Sequence, residues 1–308
     1  MRNLLLLSLA ICTACASYQP TTRLNFKAPD VYPEGIAFDP AKRCFYVSSV
    51  RTGTIGKVDS TGNYSVVYQD AGLKSSYGLK LHTDGKRLFA CVGDATASKF
   101  GTPETKKKMI RLICLDLSSG QKLMDTDLSN LVPGKHFAND LAFDEKGNVY
   151  ITDSFANVIY KVDASGTASV LSKSEKFKTQ GVGLNGIVYH PGGFLLVNNG
   201  EVVSVVDMEP FLLGADGMIL NNDTLLTIVV GSGTDKIYQI GSGDYWKTAQ
   251  IHRTTAAKDR FTGPSTATLK DGEVWVMNAK LSETMDSTNV PSQYFAIQHA
   301  ELEEVKKK

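Results

Sequence analysis

PEGIAFDPAKRCFYVSS, residues 33–49, and ANDLAFDEKGNVYITDS, residues 138–154, are the two stretches from which the rest of the chain can be read. Each opens on small or polar residues, runs on as an alternating apolar strand, turns at an Asp/Gly/Lys cluster and returns as a second strand. Alternation with period two, bounded by turn formers, marks a hairpin, because successive side chains of a strand point to opposite faces. The same grammar recurs in SYGLKLHTDGKRLFACVGD (76–94), LNGIVYHPGGFLLVNNG (184–200) and ADGMILNNDTLLTIVVG (215–231), with a shorter copy, PSTATLKDGEVWVMNA, at 264–279.

A third strand follows most copies and ends in Val-Asp or its like: IGKVD at Asp59, RLICLD at Asp116, VIYKVD at Asp163, SVVD at Asp207 and KIYQI at Ile240. A fourth is expected behind it, as in ASVLS around Val170. Four strands per unit, six units and no helical period predict an all-β, six-bladed β-propeller with four-stranded antiparallel blades around a central metal-binding channel. About 290 mature residues over six units is roughly 48 each, a fitting blade length. A pair of β-sandwiches is the alternative. A closed ring also explains the lack of a domain linker, so residues 17–308 are expected to form one domain.

At 42% hydrophobic and 21% charged residues the 308-residue chain has ample core, and a formal net charge of +1 offers no electrostatic case for nucleic acid. Arg2 followed by the apolar run 4–11 reads as an export signal over residues 1–16, too short to span a bilayer. Two readings of its end stay open. Ala14-Cys15-Ala16 suits cleavage before Ser17, and cleavage behind Ala14 would leave Cys15 as a lipid anchor. Either way the mature protein is expected to be exported, periplasmic or secreted, without a membrane span, and a monomer. Export permits disulfides, but Cys44, Cys91 and Cys114 are an odd number, and Cys91 and Cys114 lie in apolar runs that suit buried free thiols.

Aligning the copies on their first strands places one residue per blade just ahead of that strand: Glu34, Tyr77, Asn139, Asn185, Asp216 and Ser265. First strands line a propeller's channel, so these six side chains should converge at one end of it. Asn and Asp before a strand are ordinary turn formers. Glu is not, and its presence in the same register points to a ligand set of Glu34, Asn139, Asn185 and Asp216. Carboxylate and amide oxygens without His or Cys suit Ca²⁺, with Mn²⁺, Mg²⁺ or Zn²⁺ as alternatives. The loops after the second strands, beginning at Ser49, Asp94, Asp153, Asn199, Gly231 and Asn278, should overhang this end. The longest, residues 94–109, is a candidate lid. Arg51 and Asn199 join Tyr77 and Ser265 as candidate substrate contacts, and His136 is the histidine nearest the site.

Pro33-Glu34-Gly35, Asn139-Asp140, Leu184-Asn185-Gly186 and Asp216-Gly217, in this order, resemble the gluconolactonase, senescence-marker-protein (regucalcin) and LRE-like family, a relative of the paraoxonases and diisopropyl fluorophosphatase. The resemblance spans residues 24–300. It implies a divalent ion, usually calcium in the latter two branches, held by Glu34, Asn139, Asn185 and Asp216. It implies hydrolysis of a small lactone or related ester, possibly sugar-derived in the gluconolactonase manner, with Glu34 supplying charge and Asp216 acting as general base or nucleophile. Paraoxonase-like relatives carry a second acidic residue after the Glu; Gly35 stands there, so one ion is expected, with Asp140 supporting Asn139. An exported binding module with a structural ion, and an organophosphate hydrolase, are the alternatives.

Overall fold

The computed structural model describes residues 22–179, 181–199, 212–231, 233–256, 258–286 and 288–305. The export signal and Cys15, and the third strand expected at Asp207, lie outside the described residues. Strand β1 (Arg23–Lys27) comes first and finds its partners only when the ring closes. The first blade is β2 (Ile36–Asp39), β3 (Cys44–Val47), β4 (Ile55–Val58) and β5 (Tyr64–Tyr68). The second is β6 (Ser75–Leu81), β7 (Arg87–Gly93), β8 (Ile110–Asp116) and β9 (Lys122–Asp127). The third is β10 (Ala138–Phe143), β11 (Val149–Asp153), β12 (Val158–Val162) and β13 (Ala168–Lys173).

Next comes a two-stranded hairpin, β14 (Ile187–His190) and β15 (Phe194–Val197), then a blade of β16 (Ala215–Asn222), β17 (Leu225–Val230), β18 (Lys236–Gly241) and β19 (Gln250–Thr255). The last blade is β20 (Pro264–Lys270), β21 (Glu273–Asn278) and β22 (Tyr294–His299), completed by β1, while β23 (Leu302–Glu304) pairs outside β19. The protein is an all-β propeller. Five blades, not the expected six, are complete among the described residues; the hairpin occupies the place between the third blade and β16, where β14 packs against β10 on one side and β16 on the other.

Burial follows strand position. Inner and second strands are covered on both faces, as in the all-buried β2, β3 and β11, whereas the outer β5, β9 and β13 are half exposed. The first requires continuous apolar character and the second tolerates Lys, Asp and Ser. The recurring Asp after a third strand is also explained. Asp59, Asp116 and Asp163 each accept the backbone N–H two residues on, at 2.9, 2.8 and 2.9 Å, closing the turn to the fourth strand. Closure of the ring is antiparallel pairing of β1 with β22, from Arg23 opposite Gln298 to Lys27 opposite Tyr294, which seats Leu24 and Phe26 in the core. Cys44, Cys91 and Cys114 are all buried and free. Among the described residues no helix is long and apolar enough to cross a membrane.

Candidate metal centre

The site is built by irregularities that recur in register. The ladder slips between Ser76 and Leu79, Ala138 and Leu141, Ala215 and Met218, and Pro264 and Ala267. Tyr77, Asn139, Asp216 and Ser265 are each the first of the two residues released by a slip, and such bulges re-aim side chains. Glu34 and Asn185 lie two residues ahead of β2 and β14. The freed backbone groups are satisfied by short side chains on second strands or one residue past them. Ser48 Oγ accepts from Glu34 N and Gly35 N at 3.3 and 2.7 Å, Thr152 Oγ1 accepts from Asp140 N at 3.1 Å, and Asn198 Nδ2 donates to Asp216 O at 2.7 Å.

The residue after each ring position is Gly35, Gly78, Asp140, Gly186, Gly217 or Thr266. A Cβ on Gly35 would fall 2.2 Å from Tyr77 O, and one on Gly186 2.5 Å from Asp216 O, so inner strands meet backbone to backbone at this level. Gly35 is therefore demanded by packing.

All six ring residues line one cavity of about 1070 Å³. The loops beyond Ser49, Asp94, Gly231 and Asn278 contribute Val50, Thr96 and Ala97, Asp235, and Leu281 with Met285 to its wall. Two candidate substrate contacts are corrected. Arg51 does not line the cavity; its Nε lies 3.1 Å from Asp30 Oδ1, and Lys99 pairs with the same carboxylate. Asn199 is buried and also absent from the lining. Ser265 lines the cavity, but its hydroxyl donates to Glu34 O at 2.7 Å and joins the last blade to the first. Tyr77 is wholly buried, its hydroxyl accepting from Ala95 N at 3.0 Å.

The decisive electrostatic fact is what three of the four candidate ligands lack. Glu34 Oε2, Asn139 Oδ1 and Asn185 Oδ1 are buried without a hydrogen-bond partner, a costly arrangement that native proteins rarely leave unanswered. The amides are not free to turn. Asn139 Nδ2 donates to Ser154 Oγ at 3.0 Å, and Asn185 is bonded to the Asp216 carboxylate. Burial pushes the Glu34 carboxyl well above the usual range, with Asp216 and Asp140 adding to the rise and Lys80 opposing it. Burial likewise pushes Asp216 up to about 7, against the hydrogen bond from Asn185, with Asp140 raising it further. An unpaired Glu34 carboxylate oxygen beside two unpaired amide oxygens fits a hard cation. Among the described residues no three His, Cys, Asp or Glu side chains are grouped to hold a metal, so a cation here would need the amide oxygens of Asn139 and Asn185 as well.

Asp140 and segment 94–109, both singled out in the sequence, take partners that spacing does not reveal, and one wall element escaped the sequence reading altogether. Asp140 is itself in the charged cluster: its Oδ2 lies 3.7 Å from Lys80 Nζ and accepts from Ile187 N at 3.4 Å. The segment 94–109, the candidate lid, contributes Thr96 and Ala97 to the wall and is tied down by Lys99 N to Arg51 O, Ser98 Oγ to Lys74 O and Thr105 Oγ1 to Asp94 Oδ2. The short 3-10 helix Leu281–Met285 forms another part of the wall, with Glu283 accepting from Tyr32 and Ser292 hydroxyls at 3.0 and 2.7 Å. No motif announces it, because its place depends on contacts across the closed ring. His136 is buried outside the lining, its Nδ1 2.7 Å from Asp153 Oδ2, and it fastens the approach to β10.

No family model and no curated protein matches the chain. Among solved structures, the major allergen Mala s 1 of Malassezia sympodialis aligns over 92% of this chain and 97% of its own at 18% identity, with a TM-score of 0.72. The PQQ-bound aldose sugar dehydrogenase of Streptomyces coelicolor aligns over 92% and 99% at 13% identity, TM-score 0.58. A candidate gluconolactonase aligns over 94% and 96% at 15% identity, TM-score 0.54. At these identities the likeness concerns the propeller fold.

Proposed function

We propose that the protein is an exported, divalent-metal-dependent hydrolase of lactones or related esters. The observation that carries this reading is the set of buried, unpartnered oxygens on Glu34, Asn139 and Asn185 around Asp216 at one end of a cavity open to small molecules. A divalent cation in that set, calcium first among the alternatives, would supply Lewis-acid polarisation of a carbonyl. Asn139 and Asn185 keep their carbonyl oxygens facing the cavity because their amide nitrogens are held by Ser154 and Asp216. Glu34 supplies charge. Asp216 is the group placed to take a proton from water or to attack the electrophile, since burial and Asp140 raise its basicity. The likeness to a candidate gluconolactonase supports the class, while the fold is shared with sugar dehydrogenases and lyases.

The test is turnover of a panel of sugar and acyl lactones by chelator-stripped protein, with calcium, manganese or zinc added back. Metal-dependent hydrolysis that is abolished in Asp216→Asn is the expected result. Cation binding by calorimetry without turnover across the panel would favour a binding module with a structural ion.

A further inference from the structure

We propose that the protein carries a second binding site, for an uncharged saccharide, at the end of the β16–β19 blade away from the metal centre. Strand β16 leaves the ring at Asp216 and ends at Asn222, about 20 Å further along at roughly 3.3 Å per residue. There the turn after β16 and the loop between β18 and β19, residues 242–249, enclose an open cavity of about 510 Å³. That volume falls within the range of small-molecule sites, about 300–1,000 Å³. The cavity shares no lining residue with the one at the channel end, so the proposal does not depend on the hydrolase reading.

The lining is polar and uncharged. Asn222 and Gln250 contribute amides and His252 an imidazole, and among the described residues no Asp, Glu, Lys or Arg lines the cavity. Asn222 Oδ1 accepts from Thr224 N at 2.9 Å and from Thr224 Oγ1 at 3.1 Å, which leaves its amide nitrogen open. The Gln250 amide and the His252 ring nitrogens have no hydrogen-bond partner among the described residues. Such groups donate and accept without net charge, which suits the hydroxyls of a sugar. A Cβ on Gly241 would fall 2.6 Å from His252 Nε2, so it is a glycine that lets the imidazole lie over β18. The acid of the loop, Asp244, is turned to the loop itself. It accepts from Ser242 Oγ at 2.9 Å, Thr248 N at 2.9 Å and Thr248 Oγ1 at 2.8 Å, and so holds the loop in shape.

The same loop presents an aromatic ring. Tyr245 and Trp246 have φ of 57° and 61°, a left-handed pair that bulky side chains rarely adopt and that is kept where it serves a site. This backbone sends the two rings in different directions. Trp246 is 4% exposed within a core cluster, its Nε1 donating to Asp223 O at 2.9 Å. Tyr245 is left 82% exposed, between the lining residues Gly243 and Thr248. Packing gives no reason for tyrosine there, where glycine would sit without strain. An exposed aromatic face and unpaired amides on one loop and its neighbours are the two features a pyranose needs, one for its C–H face and one for its hydroxyls.

The experiment is saturation-transfer difference NMR on the full chain with cellobiose, maltose, lactose and diacetylchitobiose, and with digalacturonate as the anionic control. Transfer to at least one neutral disaccharide and little to digalacturonate is the expected result. Tyr245→Gly and His252→Ala should each raise the Kd about tenfold, and Tyr245→Trp should keep it. Tyr245→Gly should hold or raise the melting temperature, because glycine adopts the left-handed backbone freely, so its lost binding cannot come from unfolding. Cosedimentation with cellulose, amylose and chitin tells a glycan chain from a free sugar as the source of the ligand. No transfer to any neutral disaccharide overturns the inference. Transfer that survives both Tyr245→Gly and His252→Ala also overturns it, since the sugar then lies elsewhere.

Discussion

Lys80 Nζ stands 3.7 Å from Asp140 Oδ2, and its charge also bears on Glu34. It occupies the third position after Tyr77, where the other blades carry Ala37, Ala142, Val188, Ile219 and Thr268. Glu34, Asp140 and Asp216 are the carboxyl groups of this cluster, and Lys80 is the amine that faces them. Removing one partner of a buried pair leaves an uncompensated charge. Lys80→Met should therefore lower the stability of metal-free protein by about 2 kcal/mol, below the fully buried case because the lysine is partly exposed. Urea melts check it, and Asp140→Asn added to Lys80→Met should recover most of the loss.

Ser154 touches no candidate ligand oxygen, yet it holds the Asn139 amide nitrogen and donates in turn to Leu184 O. Ser154→Ala should free Asn139 to rotate and weaken calcium binding about tenfold, by analogy with partners that orient metal ligands. Titration calorimetry reads this directly, and an unchanged Kd would show that Asn139 is not a ligand.

Metal-free protein should lose stability as pH rises from 4 to 7. The folded-state pKa values of Glu34 and Asp216 lie above their unfolded values, so between the two the folded state binds more protons, and deprotonation then works against folding. The loss begins near the unfolded carboxyl range and is complete above about 7 for Asp216. Calcium should abolish it by occupying the deprotonated site. Melting temperatures at pH 5 and 8, with chelator and with calcium, measure the difference; identical shifts in both would remove the two carboxylates as its source.

Gly35→Ala should cost about 3 kcal/mol or more, because the added methyl meets Tyr77 backbone rather than a movable side chain. Gly243→Ala, where nothing lies within 4 Å, is the control and should change stability little. Equal melts for the two variants would mean that the inner strands separate easily.

The blade grammar was legible because hairpins leave local marks: alternation in IAFD and CFYV, turn formers between them, and an aspartate closing the third strand of the first three blades. The ring was legible for a related reason. Repeats in register carry corresponding residues to corresponding depths, so Glu34, Asn139, Asn185 and Asp216 could be aligned without any contact being known. Arg51 and Asn199 failed because loop residues have no register. Arg51 turned to Asp30, a partner whose proximity no spacing reveals.

By itself the sequence determined an all-β propeller built of antiparallel hairpins and the residue types offered to its channel, since both follow from short-range periodicity and chain order. Tertiary structure alone decided which oxygens are left without partners, that Lys80 answers Asp140, that Gly35 is a contact between strands, and that Val50 and Phe137 line the same cavity as the six ring residues. Each of these depends on backbones from different blades meeting at a few ångströms, and that distance is set only when β1 closes the ring against β22.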